Sequence, residues 1–393
     1  VSSRFLFLCG SLVVGKDGVG DYTRRLVAEL APYGVTASIV ACFDKEVGTP
    51  TRESQSEQGV EVPVLRIPYG SDAEAREALL QETINSFAPD VVSLQYVPYS
   101  FSPVGIPYRF ARQLGGLRFP GRWHIMFHEL WIAHRGWRQP KQWAVASLQA
   151  LTVGLLARQL QPAIVHTHVP LYRQRLSRLS VSARPLPLFA NIASVKGAVR
   201  EPAPPRGPFV LGYFSQLKVE RTLHFINDLT GWLRADGGRE LEIHLLGGGA
   251  TRIAEARAIL KSSFPEVAVT APGFLPAGEL SLALAGLDLG ITPVDYHLLG
   301  KSGTVAAFLC HGVPVAAPYV TEPGEGFFVP KLSRATFSSF TPHALAAAQQ
   351  AVTDLDTTVI SAAGVARTFM ADLGIRAGVS APATHRSSGG LSS

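Results

Sequence analysis

Short, largely apolar runs recur along this chain, and most end at a glycine or a polar residue before a stretch with helical periodicity. Phe5 to Cys9, Pro89 to Gln95, His124 to Phe127, Phe209 to Phe214, Leu241 to Leu246 and Leu287 to Pro293 are such runs. A strand with one wet face alternates apolar and polar residues. A strand covered on both faces reads as a continuous apolar run and belongs to a parallel sheet with helices on either side. The pattern therefore predicts an α/β chain. At 393 residues it is long enough for two cores, and 17% charged against 47% hydrophobic residues excludes a disordered chain. Residues 196–208 hold four prolines and no apolar periodicity, which places a linker between a first domain, 1–195, and a second, 209–376. The tail 377–393 is rich in Ser and Gly and reads as disordered.

The segment Leu298 to Val315, LLGKSGTVAAFLCHGVPV, carries the most chemistry. A helix beginning at Ser302, Gly303 and Thr304 presents free N–H groups and hydroxyls, and Gly303 has no side chain to keep an anion away. Lys301 adds a positive charge. The set suits a diphosphate; an ordinary N-cap, closed by a Gly-Val-Pro helix stop, is the alternative. It is not a Walker loop, because the upstream Gly-x4-Gly-Lys spacing is missing.

Other loops at strand ends repeat the theme. Gly15-Lys16-Asp17-Gly18-Val19-Gly20 follows the first strand, but Thr23 stands where a dinucleotide fingerprint needs its third glycine, so a nicotinamide site is not expected. In the second half, Lys218 and Arg221 sit in the loop after Phe209 to Phe214 as candidates for a phosphate, and Gly247 to Gly249 follow the next strand. Gln95, Tyr96, His128, Glu129 and Trp131 fall at or just beyond strand ends, where open α/β folds bind ligands, and Gln95, Tyr96, Glu129 and Trp131 are the candidates for an acceptor site. His134, Arg135, Trp137 and Arg138 lie in the loop beyond them. His166 and His168 share a strand face, but no third ligand of matching spacing follows, so no metal and no cofactor are expected.

Cys9, Cys42 and Cys310 read as buried thiols in a reducing cytoplasm, and Phe5 to Val14 as a first strand in place of a signal peptide. No run reaches the roughly 18 apolar residues of a membrane span. The net charge of +6 is spread without a run of five or six, which does not fit a nucleic-acid protein. It suits an anionic small ligand or peripheral contact with an acidic membrane surface.

Together, Gly18-Val19-Gly20-Asp21-Tyr22, Phe127-His128-Glu129-Leu130-Trp131, the Gly212 to Arg221 loop, Leu245-Leu246-Gly247-x-Gly249, Pro272-Gly273-Phe274 and Leu287-Asp288-Leu289-Gly290-Ile291-x-Pro293 before Gly312-Val313-Pro314-Val315 resemble the GT-B glycosyltransferases, most nearly the family 4 group of retaining enzymes. The resemblance implies two Rossmann-like doubly wound domains facing across a cleft, with the acceptor on the first and a nucleotide-sugar donor on the second. It implies that Gly18 and Gly20 approach the diphosphate and that His128 touches the donor sugar, which with Lys301 makes the catalytic pair. The donor set is then Gly18, Gly20, Lys218, Arg221, Gly247, Gly249, Ser302, Gly303 and Thr304. The acceptor is a small molecule, a glycan or a lipid-linked group. Retention needs no protein nucleophile if the leaving phosphate takes the acceptor's proton.

Two departures stand out. The family's cation pair after the first strand of the second domain becomes Gln216 and Arg221, and its two glutamates spaced eight apart fall on Leu299 and Ala307. A sugar-nucleotide-binding scaffold without catalysis, or a GT-B epimerase, are therefore the alternative readings.

Overall fold

The computed structural model describes residues 3–132, 138–195 and 207–375. His134, Arg135 and Trp137, most of the linker and the tail lie outside the described residues.

The strands of the first sheet are β1 Arg4–Cys9, β2 Thr36–Asp44, β3 Thr51–Glu57, β4 Val60–Pro68, β5 Val91–Tyr96, β6 Arg122–Phe127, β7 Ile164–Thr167 and β8 Arg184–Pro185. They lie in the order β3-β4-β2-β1-β5-β6-β7-β8. All pairs are parallel except the β3–β4 hairpin. The second sheet holds β9 Phe209–Phe214, β10 Leu241–Leu246, β11 Ala268–Thr270, β12 Leu289–Ile291, β13 Val315–Ala316 and β14 Thr336–Phe337, all parallel, in the order β11-β10-β9-β12-β13-β14. Both sheets are doubly wound. The strand order turns back between β1 and β5 in one and between β9 and β12 in the other, and crevices outside the carboxyl ends of strands open at such switch points.

The continuous apolar runs do what their composition dictates. Leu6 and Leu8 of β1 face one layer of helices, while Phe5 and Phe7 face the other. The polar stretch before Val60 does contain a strand, β3, which apolar patterning misses because Thr-Arg-Glu-Ser-Gln-Ser-Glu has no apolar face. Its partner and its turn make it instead: Gln58 and Gly59, both at positive φ (52° and 77°), form a tight hairpin turn onto β4.

The domain limits need one correction. The closing helix Ala362–Asp372, within 209–376, packs on the first sheet. Val365, Phe369 and Met370 join Phe5 and Phe7 in one core, with the Phe369 ring 5.9 Å from Phe5 and 6.2 Å from Phe7. An amphipathic helix settles where its apolar stripe finds cover, whatever its place in the sequence. The chain therefore crosses between the domains twice. The first crossing, Leu186 to Asn191, is anchored on the second domain by N–H donation from Leu188 to Gly300 O (3.4 Å) and from Asn191 to Gly303 O (3.3 Å). It meets the return crossing where the Ala190 N–H donates to Ile360 O at 2.9 Å.

Truncating a fully buried ring leaves a cavity as well as losing transfer energy. Phe369→Ala is expected to cost about 3–5 kcal/mol in urea unfolding. A cost near that of an exposed helix substitution would mean that the return crossing is not part of the first core.

Candidate active site

A cleft of about 970 Å³ lies between the two sheets. Gly15, Gly18 and Tyr22, beyond the end of β1, form one wall, and Ser215 and Gln216, beyond β9, form the other. Both switch points thus open on one space. A cavity of about 610 Å³ beside Arg173 and His297 touches neither glycine loop.

Ser302, Gly303 and Thr304 line the cleft at the start of the helix Gly303–Cys310. Ser302 is its N-cap and accepts from the Val305 N–H (3.3 Å), and the Ser302 and Thr304 hydroxyls are 2.9 Å apart. The N–H groups of Gly303 and Thr304, in the first turn, have no partner within the helix, so this end is a ready anion cradle. The missing side chain of Gly303 has a further reason: a Cβ there would sit 3.4 Å from both Phe189 O and the Asn191 Cβ of the crossing segment.

Gly18 and Gly20 part company. Asp17 caps the opening helix Gly18–Leu30 by accepting from Val19 N (3.0 Å) and Gly20 N (2.7 Å). Gly18 has open space where a Cβ would be and lines the cleft, whereas a Cβ on Gly20 would lie 2.6 Å from Ser11 O. The first glycine faces the open cleft, and the other lets helix and loop touch. Lys218 is exposed away from the cleft. Arg221 donates to Pro293 O (3.2 Å) and covers the Tyr319 ring (4.0 Å to its centre), so it secures the loop after β12. Gly247 takes φ 67° to turn the chain out of β10, and Gly249 caps the next helix; neither lines the cleft.

None of Gln95, Tyr96, Glu129 and Trp131 lines the cleft. Gln95 and Tyr96 are buried. Trp131 lies beneath Arg175, whose guanidinium donates to Trp131 O at 2.9 Å. Glu129 accepts from Lys301 Nζ at 2.7 Å, and Tyr172 Oη takes a second ammonium proton at 3.2 Å. Burial by itself would depress the Lys301 ammonium, but Tyr172 and Glu129 outweigh it and hold the pKa above the ordinary value. Lys301 lines the cleft fully charged.

The first-domain wall brings residues that patterning missed. Tyr22 stacks on Phe189 (4.7 Å, 11°), and its buried hydroxyl has no partner among the described residues. Arg24 pairs with Asp21 and donates to Leu12 O (3.0 Å), and Arg25 pairs with Glu29 (3.0 Å). The tandem Arg24-Arg25 in a helix that opens after a glycine loop was the available signal. Every cleft cation is already matched by a carboxylate, so the free donors are the amides of the helix start and one of its two hydroxyls. Leu299 and Ala307, at the two glutamate positions of the family pattern, are fully buried in the second core.

His128 lies one layer behind the cleft, edge-on to the Tyr22 ring (4.9 Å, 81°). It belongs to a buried chain of hydrogen bonds. From one end, Asp372 Oδ2 meets His166 Nε2 (2.9 Å), His166 Nδ1 meets His124 Nε2 (3.0 Å), and His124 Nδ1 meets Ser93 Oγ (2.8 Å). The chain continues through Gln95 (2.7 Å from Ser93 and 2.8 Å from His128 Nε2), then His128 Nδ1 to His168 Nε2 (2.9 Å), and His168 Nδ1 to Leu186 O (2.9 Å). Both ends are acceptors. Six neutral members supply six protons to seven links, so full satisfaction requires one extra proton. With the Gln95 amide nitrogen toward Ser93 and its oxygen toward His128, the link left without a proton while every member is neutral is the one between His128 and His168. Burial pushes His128 well below the ordinary histidine range and His168 down to about 3, with the Lys301 charge adding to both. His128 therefore faces the cleft side neutral. Its part is to brace Tyr22 from behind.

Residues 17–154 match the family described as "Glycosyl transferase 4-like domain". No protein of curated function matches the chain in sequence. Among solved structures, sucrose-phosphate synthase from Thermosynechococcus elongatus superposes with a TM-score of 0.57 at 14% identity, covering 95% of each chain. HepE from Anabaena, solved with UDP-glucose, gives 0.58 at 15% identity over 94% of this chain and 99% of its own. A UDP-forming α,α-trehalose-phosphate synthase from Burkholderia vietnamiensis gives 0.57 at 12%, covering 95% and 97%. The chain has the GT-B fold of two parallel-sheet domains.

Hydrogen bonds from His166, then from Arg184 (2.7 Å), hold the Asp372 carboxyl below its ordinary value despite partial burial. A depressed pKa gives stability that is complete above the unfolded value, about 4, and is lost as pH falls through the folded one. Asp372→Asn is expected to lower stability by about 1–3 kcal/mol at pH 7 and to flatten its fall between pH 5 and 3. Denaturant midpoints measured across that range check both; parallel curves for variant and parent would discount the ion pair.

Proposed function

We propose that this chain, with a glycosyl transferase 4-like domain over residues 17–154 and a GT-B fold, transfers a sugar from a nucleoside-diphosphate sugar to an acceptor. The single observation that carries the reading is the meeting of two switch points and one helix start on the same 970 Å³ cleft. The donor's diphosphate would lie against the amides of Gly303 and Thr304, with the Ser302 and Thr304 hydroxyls and the Lys301 ammonium beside it. Breaking the bond between sugar and diphosphate leaves negative charge on the leaving oxygen. Fixed N–H dipoles and a charged lysine in a partly dry cleft stabilise that charge as it develops. We take the transfer to be metal-independent and retaining, with the leaving phosphate receiving the acceptor's proton. Because Anabaena HepE is solved with UDP-glucose, a uridine nucleotide is the first donor to try. The acceptor would enter along the first-domain wall at Gly15 and Tyr22.

A second reading has its own support. With Leu299 and Ala307 buried and the cleft cations tied to carboxylates, a scaffold that binds a sugar nucleotide without turning it over fits the same cleft. Hydrolysis or transfer of the donor by the purified chain would exclude it.

Calorimetry with uridine, guanosine and adenosine diphosphates is expected to show one preferred base. Lys301→Ala combined with Thr304→Val is expected to lower kcat about 10²–10³-fold, the effect of removing transition-state donors. Unchanged turnover in that double variant, or no binding of any of the three nucleotides, would defeat the proposal.

A further inference from the structure

The basic residues form no long run along the sequence, yet they segregate strongly. Residues 91–195 carry twelve Arg and Lys and one carboxylate, Glu129, a net of +11 in a chain whose total is +6. The remainder of the chain is therefore acidic, and the one carboxylate in the stretch is engaged by Lys301.

The long helix Pro140–Leu160 lies in this stretch and has no acidic residue. Its inner side, Gln149, Val153, Leu156 and Leu160, is buried on the sheet. Its outer side reads Lys141, Ala144, Leu148, Leu151 and Arg158, at spacings of three, four, three and seven that place all five on one face. Leu148 is 48% exposed, Leu151 67% and the neighbouring Trp143 51%. A helix that buries one side normally turns a polar side to water. This one shows leucines there, with a cation at each end.

The patch extends sideways. A Cβ on Gly105 would lie 2.4 Å from Gln149 Nε2, and one on Gly115 3.0 Å from Gln159, so the segment from Tyr99 to Gly116 runs alongside the helix. It adds exposed Tyr99, Val104 and Tyr108, and exposed Arg109 and Arg112. Lys141, Arg158, Arg109 and Arg112 make no ion pair among the described residues. Acidic side chains begin only beyond, on the helix Ala73–Phe87, where Glu77 approaches Gly116.

We propose that this face docks on an anionic lipid surface, with Trp143, Leu148 and Leu151 entering the headgroup region and Lys141, Arg158, Arg109 and Arg112 meeting lipid phosphates. Apolar side chains framed by cations are the composition of a helix that lies in an interface, and no described helix is long and apolar enough to cross a membrane. A second copy of the chain is a poor occupant, since an isologous contact would bring one basic patch against another. The inference does not depend on transfer activity.

Co-sedimentation of the purified full chain with phosphatidylcholine vesicles, with and without about one third phosphatidylglycerol, tests it. Binding is expected to the anionic vesicles only, to weaken with salt, and to shift Trp143 fluorescence to the blue, a shift absent in Trp143→Phe. Leu148→Ser with Leu151→Ser, and separately Lys141→Glu with Arg112→Glu, should each reduce partitioning at least tenfold while thermal unfolding and nucleotide binding stay unchanged. Equal binding to neutral vesicles, no binding, unaffected variants, or a dimer in light scattering that the leucine variant abolishes would each overturn the proposal.

Discussion

Everything at the cleft depends on the docking of a helix from the end of the chain onto the beginning of it. Phe369 among Phe5, Phe7 and Val365 belongs to the first core although it follows the whole second sheet in sequence. Burying such rings is worth on the order of 1.5–3 kcal/mol each. That energy fixes where the second domain's last residues must return and hence how the two switch points face. The same helix delivers Asp372 to the far end of the histidine chain, so the first-domain core and the support behind Tyr22 share one foundation.

The cleft's electrostatics differ from a simple cationic trap. Arg24, Arg25 and Lys301 are each satisfied by a carboxylate, and a phosphate must compete with Asp21, Glu29 or Glu129 for them. The uncommitted donors are neutral ones at the start of the Gly303–Cys310 helix. Any selectivity of this cleft for an anion would then come from geometry and amide dipoles more than from surplus charge.

Much of the architecture was legible because strands covered on both faces are mostly apolar, and their spacing by glycine loops points to a doubly wound order. The Ser302-Gly303-Thr304 helix start was legible for the same local reason, being a capping pattern next to a strand. Gly20 and Arg221 were not, because a residue that touches a backbone carbonyl and one that touches a phosphate have the same side-chain chemistry. Tyr22 was hidden among core-like residues, and only the tertiary arrangement shows its hydroxyl unpartnered beside the cleft. The hairpin strand β3 was invisible to apolar patterning, since its seven residues are ordered by partner and turn alone.

The two passages between domains touch each other through the bond from Ala190 to Ile360. A body held by one cord can swing and twist in any direction, whereas two cords tied together leave it fewer ways to turn. Any change in the width of the cleft would have to be accommodated near that junction, where both passages are tied.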